Sequence, residues 1–302
     1  MTTEKRTITA GAVTVADAPE KQVGSDTPAG RVLVLLDGSR MSYAALNAAA
    51  DIAACTGADV LGVFVEEQNL LRSAGYGFAR EVGAASGISR PLDVTILERR
   101  MQRLAMEVKE ALARAVSSRG RSHELSVARG RVVDEVLTLV SPQDLLVLGR
   151  VGWSSVPGSR LGSTARGLIR KSPSRVLLWS EGAVSDKNRI VVLLNDHADA
   201  NRRAIQAATE ASRYHHLPVT VLLRSEGDVS AVQLETIRQD LDFSGAGTRL
   251  RVLPATDPAT VARVLREECA AQLVVSRECS LFSNPEADQL LIALNLPITI
   301  TP

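Results

Sequence analysis

An α/β architecture of two tandem doubly wound parallel-sheet domains, the second degenerate, is the fold class this sequence predicts, and three observations predict it. Apolar runs of strand length alternate with stretches of helical period, which is how β–α–β units read when helices cover both faces of a parallel sheet. The run RIVVLLN at residues 189–195 repeats RVLVLLD at residues 31–37 nearly letter for letter. The elements behind the two runs come in the same order, the second copy being shorter, so a whole domain is repeated. The 302 residues, 45% of them hydrophobic, suffice for two cores. We therefore divide the chain into a tail at residues 1–28, a first domain at 29–180 and a second at 187–302.

Order begins at residues 31–37, a continuous apolar run that suits a strand buried on both faces. An Ala-rich helix follows over residues 42–57, with Gly57 as its stop. Residues 58–67 form the second strand. Residues 68–91, rich in Gly, Ala, Ser and Arg, read as a mobile insertion, a candidate lid or partner loop carrying Tyr76 and Phe78, with disordered surface the plainer reading. A long amphipathic helix over residues 92–120 is next. Then come a strand at 123–128, a helix at 132–140, a strand at 144–148, a glycine-marked loop, a helix at 164–171 and a strand at 175–179. The polar stretch 180–188 is the linker. The second copy runs strand 189–195, helix 202–215, strands 217–224 and 248–255, helix 259–270, strand 272–276, helix 285–296 and strand 297–301. Asn284 is the N-cap of the last helix and Pro285 its first residue.

Composition narrows the function classes. Lys and Arg total 35 against 34 Asp and Glu, which argues against a broad electrostatic grip on nucleic acid or an anionic membrane. Aromatic residues make up 3%, too few for base-stacking platforms. Cys55, Cys269 and Cys279 form no CxxC pair, and the four histidines show no ligand spacing, so neither a disulfide framework nor a metal site is expected. The first 28 residues lack the apolar core of a signal peptide and no transmembrane run exists, so the expected location is the cytoplasm, with the tail disordered.

The stretch LLVLGRVGWSSVPGSRLGSTARGLIR, residues 145–170, carries the chemistry. In parallel α/β sheets, ligands bind beyond the carboxyl ends of the strands, where loops turn into helix N-termini. Gly149 ends a strand and lets a backbone or flat group come close. Gly162, Ser163 and Thr164 open a helix, whose free N–H groups and positive dipole end favour an anion by about 0.3–1 kcal/mol. The Ser163 and Thr164 hydroxyls add donors. The bland alternative is a solvated connection with turn glycines and an ordinary serine cap. Asp37, followed by Gly38 and Ser39, lies at the same sheet edge, placed to accept from a ligand amino or hydroxyl group or to cap the helix that begins near Met41.

Gly149, two residues, Gly152, nine residues, then Gly162-Ser163 resembles the G-2x-G-9x-G-(S/T) signature of ATP-binding universal stress proteins. VLLDGS at the first strand and the element order resemble that family too, strongly over about residues 30–180 and weakly over 188–302. The resemblance implies a Rossmann-like domain in which Asp37 and Val63, or strand residues beside it, contact adenosine. It implies that Leu148 and Gly149 line the base or ribose, and that Gly152, Gly162, Ser163 and Thr164 cradle the phosphates. Many members carry a basic residue just before the second glycine; here Val151 stands there, with Arg150 one place earlier and Arg160 and Arg166 flanking the loop. ADP and AMP therefore stand beside ATP, with magnesium as an optional companion.

In the second copy Asn195 replaces Asp37, and residues 276–286 hold no glycine, with Cys279, Leu281 and Phe282 adding bulk. That half reads as nucleotide-incompetent. Family members pair through their last strands, so residues 176–179 and 298–301 are expected to pair within the chain as a pseudo-dimer, with a homodimer of whole chains left open. Three functions compete: a nucleotide-binding stress or signalling module acting through a protein partner, a nucleotide-free scaffold, and a slow ATPase. No catalytic constellation can be placed near the loop, so the binding module is the reading and no catalytic residue is named.

Overall fold

The computed structural model describes residues 6–8, 30–83, 85–150, 161–180, 188–224, 248–253, 255, 257–279, 291 and 294–302. Gly152, most of the linker, and the residues Leu281, Phe282, Asn284 and Pro285 lie outside the described residues. The first half contains β1 (Arg6–Ile8), β2 (Val32–Leu35), α1 (Arg40–Thr56), β3 (Val60–Glu67), α2 (Gln68–Ala74) and the hairpin β4 (Arg80–Val82) and β5 (Ser89–Pro91). It continues with α3 (Val94–Ser117), β6 (His123–Gly130), α4 (Val132–Leu137), β7 (Leu145–Gly149), α5 (Ser163–Lys171) and β8 (Arg175–Trp179). The second half contains β9 (Arg189–Leu193), α6 (Ala198–His215), β10 (Val219–Arg224), β11 (Arg249–Leu253), α7 (Pro258–Glu267), β12 (Ala270–Ser276) and β13 (Ile298–Thr301).

The main sheet has eleven strands in the order β1-β6-β3-β2-β7-β8-β13-β12-β9-β10-β11. Neighbours within each half are parallel except for the edge strand β1, and the halves meet where β13 runs antiparallel to β8, with Ile298 opposite Leu178, Thr299 opposite Leu177 and Ile300 opposite Val176. Residues 176–179 and 298–301 thus do lie edge to edge. The strand order outward from this seam is the same in both halves. Within the segment expected to be disordered, β1 pairs antiparallel with β6 and covers a sheet edge whose backbone groups would otherwise lack partners.

Local chemistry accounts for the elements. Helix α1 starts at Ser39, whose hydroxyl oxygen accepts from the Ser42 N–H, and stops at Gly57, whose φ of +74° is a left-handed cap that sends its N–H to the Ala53 carbonyl. The continuous apolar strands are buried on both faces, as parallel strands between helices must be. On one face α1 and α3 pack Leu46, Val108, Leu112 and Val116 against Val34, Val60 and Val147. On the other, α4, α5 and α7 close a core that runs unbroken across both halves, from Leu33 and Leu168 to Val264 and Ile300. On the α6 face of the second half a separate cluster forms around Ile190, Ala204 and Ala208.

The insertion is ordered, against the composition-based expectation of a disordered surface. Glu67 caps α2 by accepting from the Asn69 N–H, and Ala74 is buried. The β4–β5 hairpin is tied to α3 by the Arg100–Glu81 ion pair at 2.6 Å. Tyr76 and Phe78 stack with ring centroids 5.4 Å apart and stay exposed.

Candidate functional site

The strand order fixes where a ligand can sit. From β2 the chain winds outward through β3 and β6, whereas from β7 it winds the other way to β8. The carboxyl ends of β2 and β7 therefore flank the crevice of a topological switch point. A cavity of about 870 Å³ opens there, within the roughly 300–1,000 Å³ typical of small-molecule pockets. Among the sequence-derived candidates, Asp37, Ser39, Leu148, Gly149, Arg150, Gly162, Ser163 and Thr164 all line it.

Each is held by its element. Asp37 follows β2, and its Oδ1 accepts from the Ser39 N–H at 2.9 Å, so the carboxylate takes part in the turn into α1. Gly149 ends β7 against α1: a Cβ there would lie 3.1 Å from the Met41 backbone, so its missing side chain serves packing as well as access. Gly162 is the N-cap of α5 with φ −54° and ψ 146°, and among the described residues no side chain caps that helix. A Cβ at Gly162 would meet nothing within 4 Å. Gly162, Ser163, Thr164 and Ala165, the first turn of α5, border the cavity.

Three candidates sit elsewhere or do other work. Gly38 has φ +77°, and a Cβ there would fall 2.3 Å from Leu104 Cδ1; it shapes the turn under α3 and does not line the cavity. Val63 is fully buried in the continuous core, and β3 reaches the cavity through Phe64 and Val65 instead. Arg150 lines the cavity, but its guanidinium is engaged with the second half. It donates to the Leu291 and Leu294 carbonyls and, at 3.3 Å, to the Ser180 hydroxyl, whose own O–H reaches Asn295 Oδ1. Burial pulls this guanidinium down to about 10. Its hydrogen bonds knit the halves together.

Sequence reading missed the wall made by α3. Leu97, Arg100, Met101, Leu104 and Glu107 follow helical spacing, fall on one stripe and border the cavity, as does Arg103. The stripe was there to be read in the helix, but nothing local says that this face turns to a ligand. The wall carries cations in Arg100 and Arg103, and acceptors in Glu67, Glu107 and Asp37. Burial, and less strongly the Glu107 and Asp37 carboxylates nearby, push the Tyr43 hydroxyl above its ordinary value. Donors at an open helix terminus and carboxylate acceptors in one cavity suit a ligand with an anionic part and a part rich in N–H and O–H groups.

In the second half, Asn195 Oδ1 accepts from the His197 N–H, while Asn201 bonds both the N–H and the carbonyl of Asn195. The position matching Asp37 is thus occupied by an amide cluster of its own. Cys279, which follows β12, is buried.

A family model described as the universal stress protein family matches residues 28–179. Among solved structures, a universal stress protein from Archaeoglobus fulgidus DSM 4304 superposes with a TM-score of 0.68 at 16% identity, covering 90% of this chain and 95% of that one. A protein of unknown function from Pseudomonas aeruginosa PAO1 follows at 0.57 and 14%, covering 90% and 92%. A universal stress protein from Archaeoglobus fulgidus in complex with dAMP matches at a TM-score of 0.31 and 17% identity, over 39% of this chain and 99% of that one. At these identities the likeness is one of fold. No curated protein matches the chain.

Proposed function

The chain belongs to the universal stress protein family, and from that premise we propose that its first half, residues 29–180, binds an adenine nucleotide at the β2–β7 crevice. ATP is the proposed ligand, with ADP or AMP able to take its place. The observation that carries this reading is the N-terminus of α5, which no described side chain caps, bordering at Gly162 a cavity that Asp37 also lines. The residues present fit the group: the N–H groups and hydroxyls of Ser163 and Thr164 would hold phosphate, and Asp37 would accept from the nucleoside. Leu148 and Gly149 would flank the base or ribose, and Gly152 would join the phosphate cradle. Arg103 on α3 would supply the charge that Val151 does not. Among the described residues no three His, Cys, Asp or Glu side chains are gathered into a metal site, so magnesium would arrive on the phosphates.

The second half, residues 187–302, is in this reading a degenerate copy that binds no nucleotide and serves as a built-in dimer partner across β8 and β13. The protein acts by signalling rather than by turnover, in the cytoplasm, where its three free cysteines stay reduced. Its ligand state reaches a protein partner through the insertion, because α2 borders the cavity through Leu70 and the same segment displays Tyr76 and Phe78.

Calorimetric titration of ATP with magnesium into wild type, Asp37→Ala and Asn195→Ala tests this. Loss of a hydrogen bond to a charged group is worth about 1.5–3 kcal/mol, so Asp37→Ala should weaken binding by at least about tenfold. Asn195→Ala should bind as wild type does. Full affinity in Asp37→Ala, or loss in Asn195→Ala, overturns the assignment.

A further inference from the structure

A second cavity, of about 370 Å³, lies at the seam between the halves, on the face opposite the continuous core. Its walls are α1, through Ala48 and Ile52, and α6, through Ala207 and Ala211. Its floor is the sheet across the seam, with Leu145 and Leu177 from the first half and Thr299 from the second. On this face the two halves keep separate apolar clusters, one under α1 and α3 and one under α6. The gap between them is where a shared core would have been, and small residues on both helices keep it open.

The floor is not uniformly apolar. Gln272, 6% exposed, donates from Nε2 to Thr299 Oγ1 at 2.6 Å, and Thr299 is equally buried. His215 is hydrogen-bonded to the Gln272 side chain, and Tyr214 stands edge-on to His215 at 4.4 Å between ring centroids. Both rings border the cavity. Burial holds the His215 imidazole below its ordinary value and pushes the Tyr214 hydroxyl up to about 12, so both are neutral near pH 7. At the rim, Arg175 and Glu210 pair with each other. Arg31, also in the lining, pairs with Asp144, so among the described residues an ionic ligand would find no uncommitted counter-charge, whereas an apolar body with one hydrogen-bonding group would find walls for the first and the His215–Gln272–Thr299 string or the Tyr214 hydroxyl for the second.

We propose that this seam cavity is a second ligand site, distinct from the nucleotide crevice, for a neutral, largely apolar small molecule bearing a single hydrogen-bonding group. Its occupant contacts α1 and α6 at once and so bridges the two halves. The site does not depend on the nucleotide reading.

N-phenyl-1-naphthylamine, a neutral fluorophore with one N–H donor, is a suitable probe for the full-length protein. The expected result is saturable, enhanced fluorescence at about one probe per chain, unaffected by ATP. Trp179 borders the cavity, so energy transfer from tryptophan to bound probe should fall in Trp179→Phe. Ala211→Trp fills the space and should weaken the probe by at least about tenfold. Phe78→Ser, which removes an exposed aromatic on the insertion, should leave binding unchanged. Absence of saturable binding, undiminished transfer in Trp179→Phe, or loss of binding in Phe78→Ser overturns the proposal. The Trp179→Phe result decides the matter even if Ala211→Trp does not fold.

Discussion

Replacing Gly162 by Asp separates ligand binding from folding more cleanly than any other substitution in the molecule. The backbone at Gly162 has φ −54°, which any residue adopts, and a Cβ there meets nothing within 4 Å. Asp is moreover a preferred N-cap and improves on Gly by a few tenths of a kcal/mol, at most ~1 °C in melting temperature for a chain of this size. For a phosphate at the same terminus the change is adverse twice over. The carboxylate neutralises a dipole term of about 0.3–1 kcal/mol. It also sets a like charge about 4 Å from the phosphate, worth roughly 4 kcal/mol at an effective dielectric of about 20. Together these predict a loss of at least about a hundredfold in ATP affinity, read by calorimetry beside a thermal melt. Gly162→Ala, which adds the Cβ alone, should retain binding within about tenfold. Unchanged ATP affinity in a stable Gly162→Asp protein would refute the argument that α5 holds the phosphates.

Other consequences can be measured. Arg150→Ala leaves the buried Leu291 and Leu294 carbonyls without their donor and should cost about 2–4 kcal/mol in denaturant unfolding, while an unchanged midpoint would deny the guanidinium its role between the halves. The folded His215 imidazole titrates below 6.5 because burial disfavours its cation. As pH falls through 6.5 the unfolded chain therefore takes the proton first and stability declines, levelling off below the folded value. His215→Gln should flatten that decline between pH 7.5 and 5.5, and an identical slope would remove His215 as its source. His216 closes α6 at φ +54°, so His216→Gly should raise stability by about 0.5–1 kcal/mol, and a fall in melting temperature would contradict the left-handed cap.

What could be read from the sequence follows a physical division. The strands β2 and β9 announce themselves because parallel strands buried on both faces must be apolar throughout. Gly57, Ser39 and the α5 start are legible because caps are local chemistry. The parity of β3 was not legible: a strand apolar on both faces does not tell whether Val63 or its successors reach the cavity. The engagement of Arg150 with the second half was not legible, because its partners are backbone carbonyls 141 and 144 residues away, which no local pattern encodes. The insertion's order rests likewise on a non-local pair, Arg100 with Glu81, and the ligand-facing stripe of α3 on how that helix docks.

The most direct test of the central claim is the nucleotide content of the purified, undialysed chain, measured by mass spectrometry of the small molecules it releases. The account predicts about one adenine nucleotide per chain, consistent with one live crevice in two halves. No nucleotide, together with no heat on titrating ATP and magnesium, would contradict it and leave the glycine loop as the inherited frame of a scaffold.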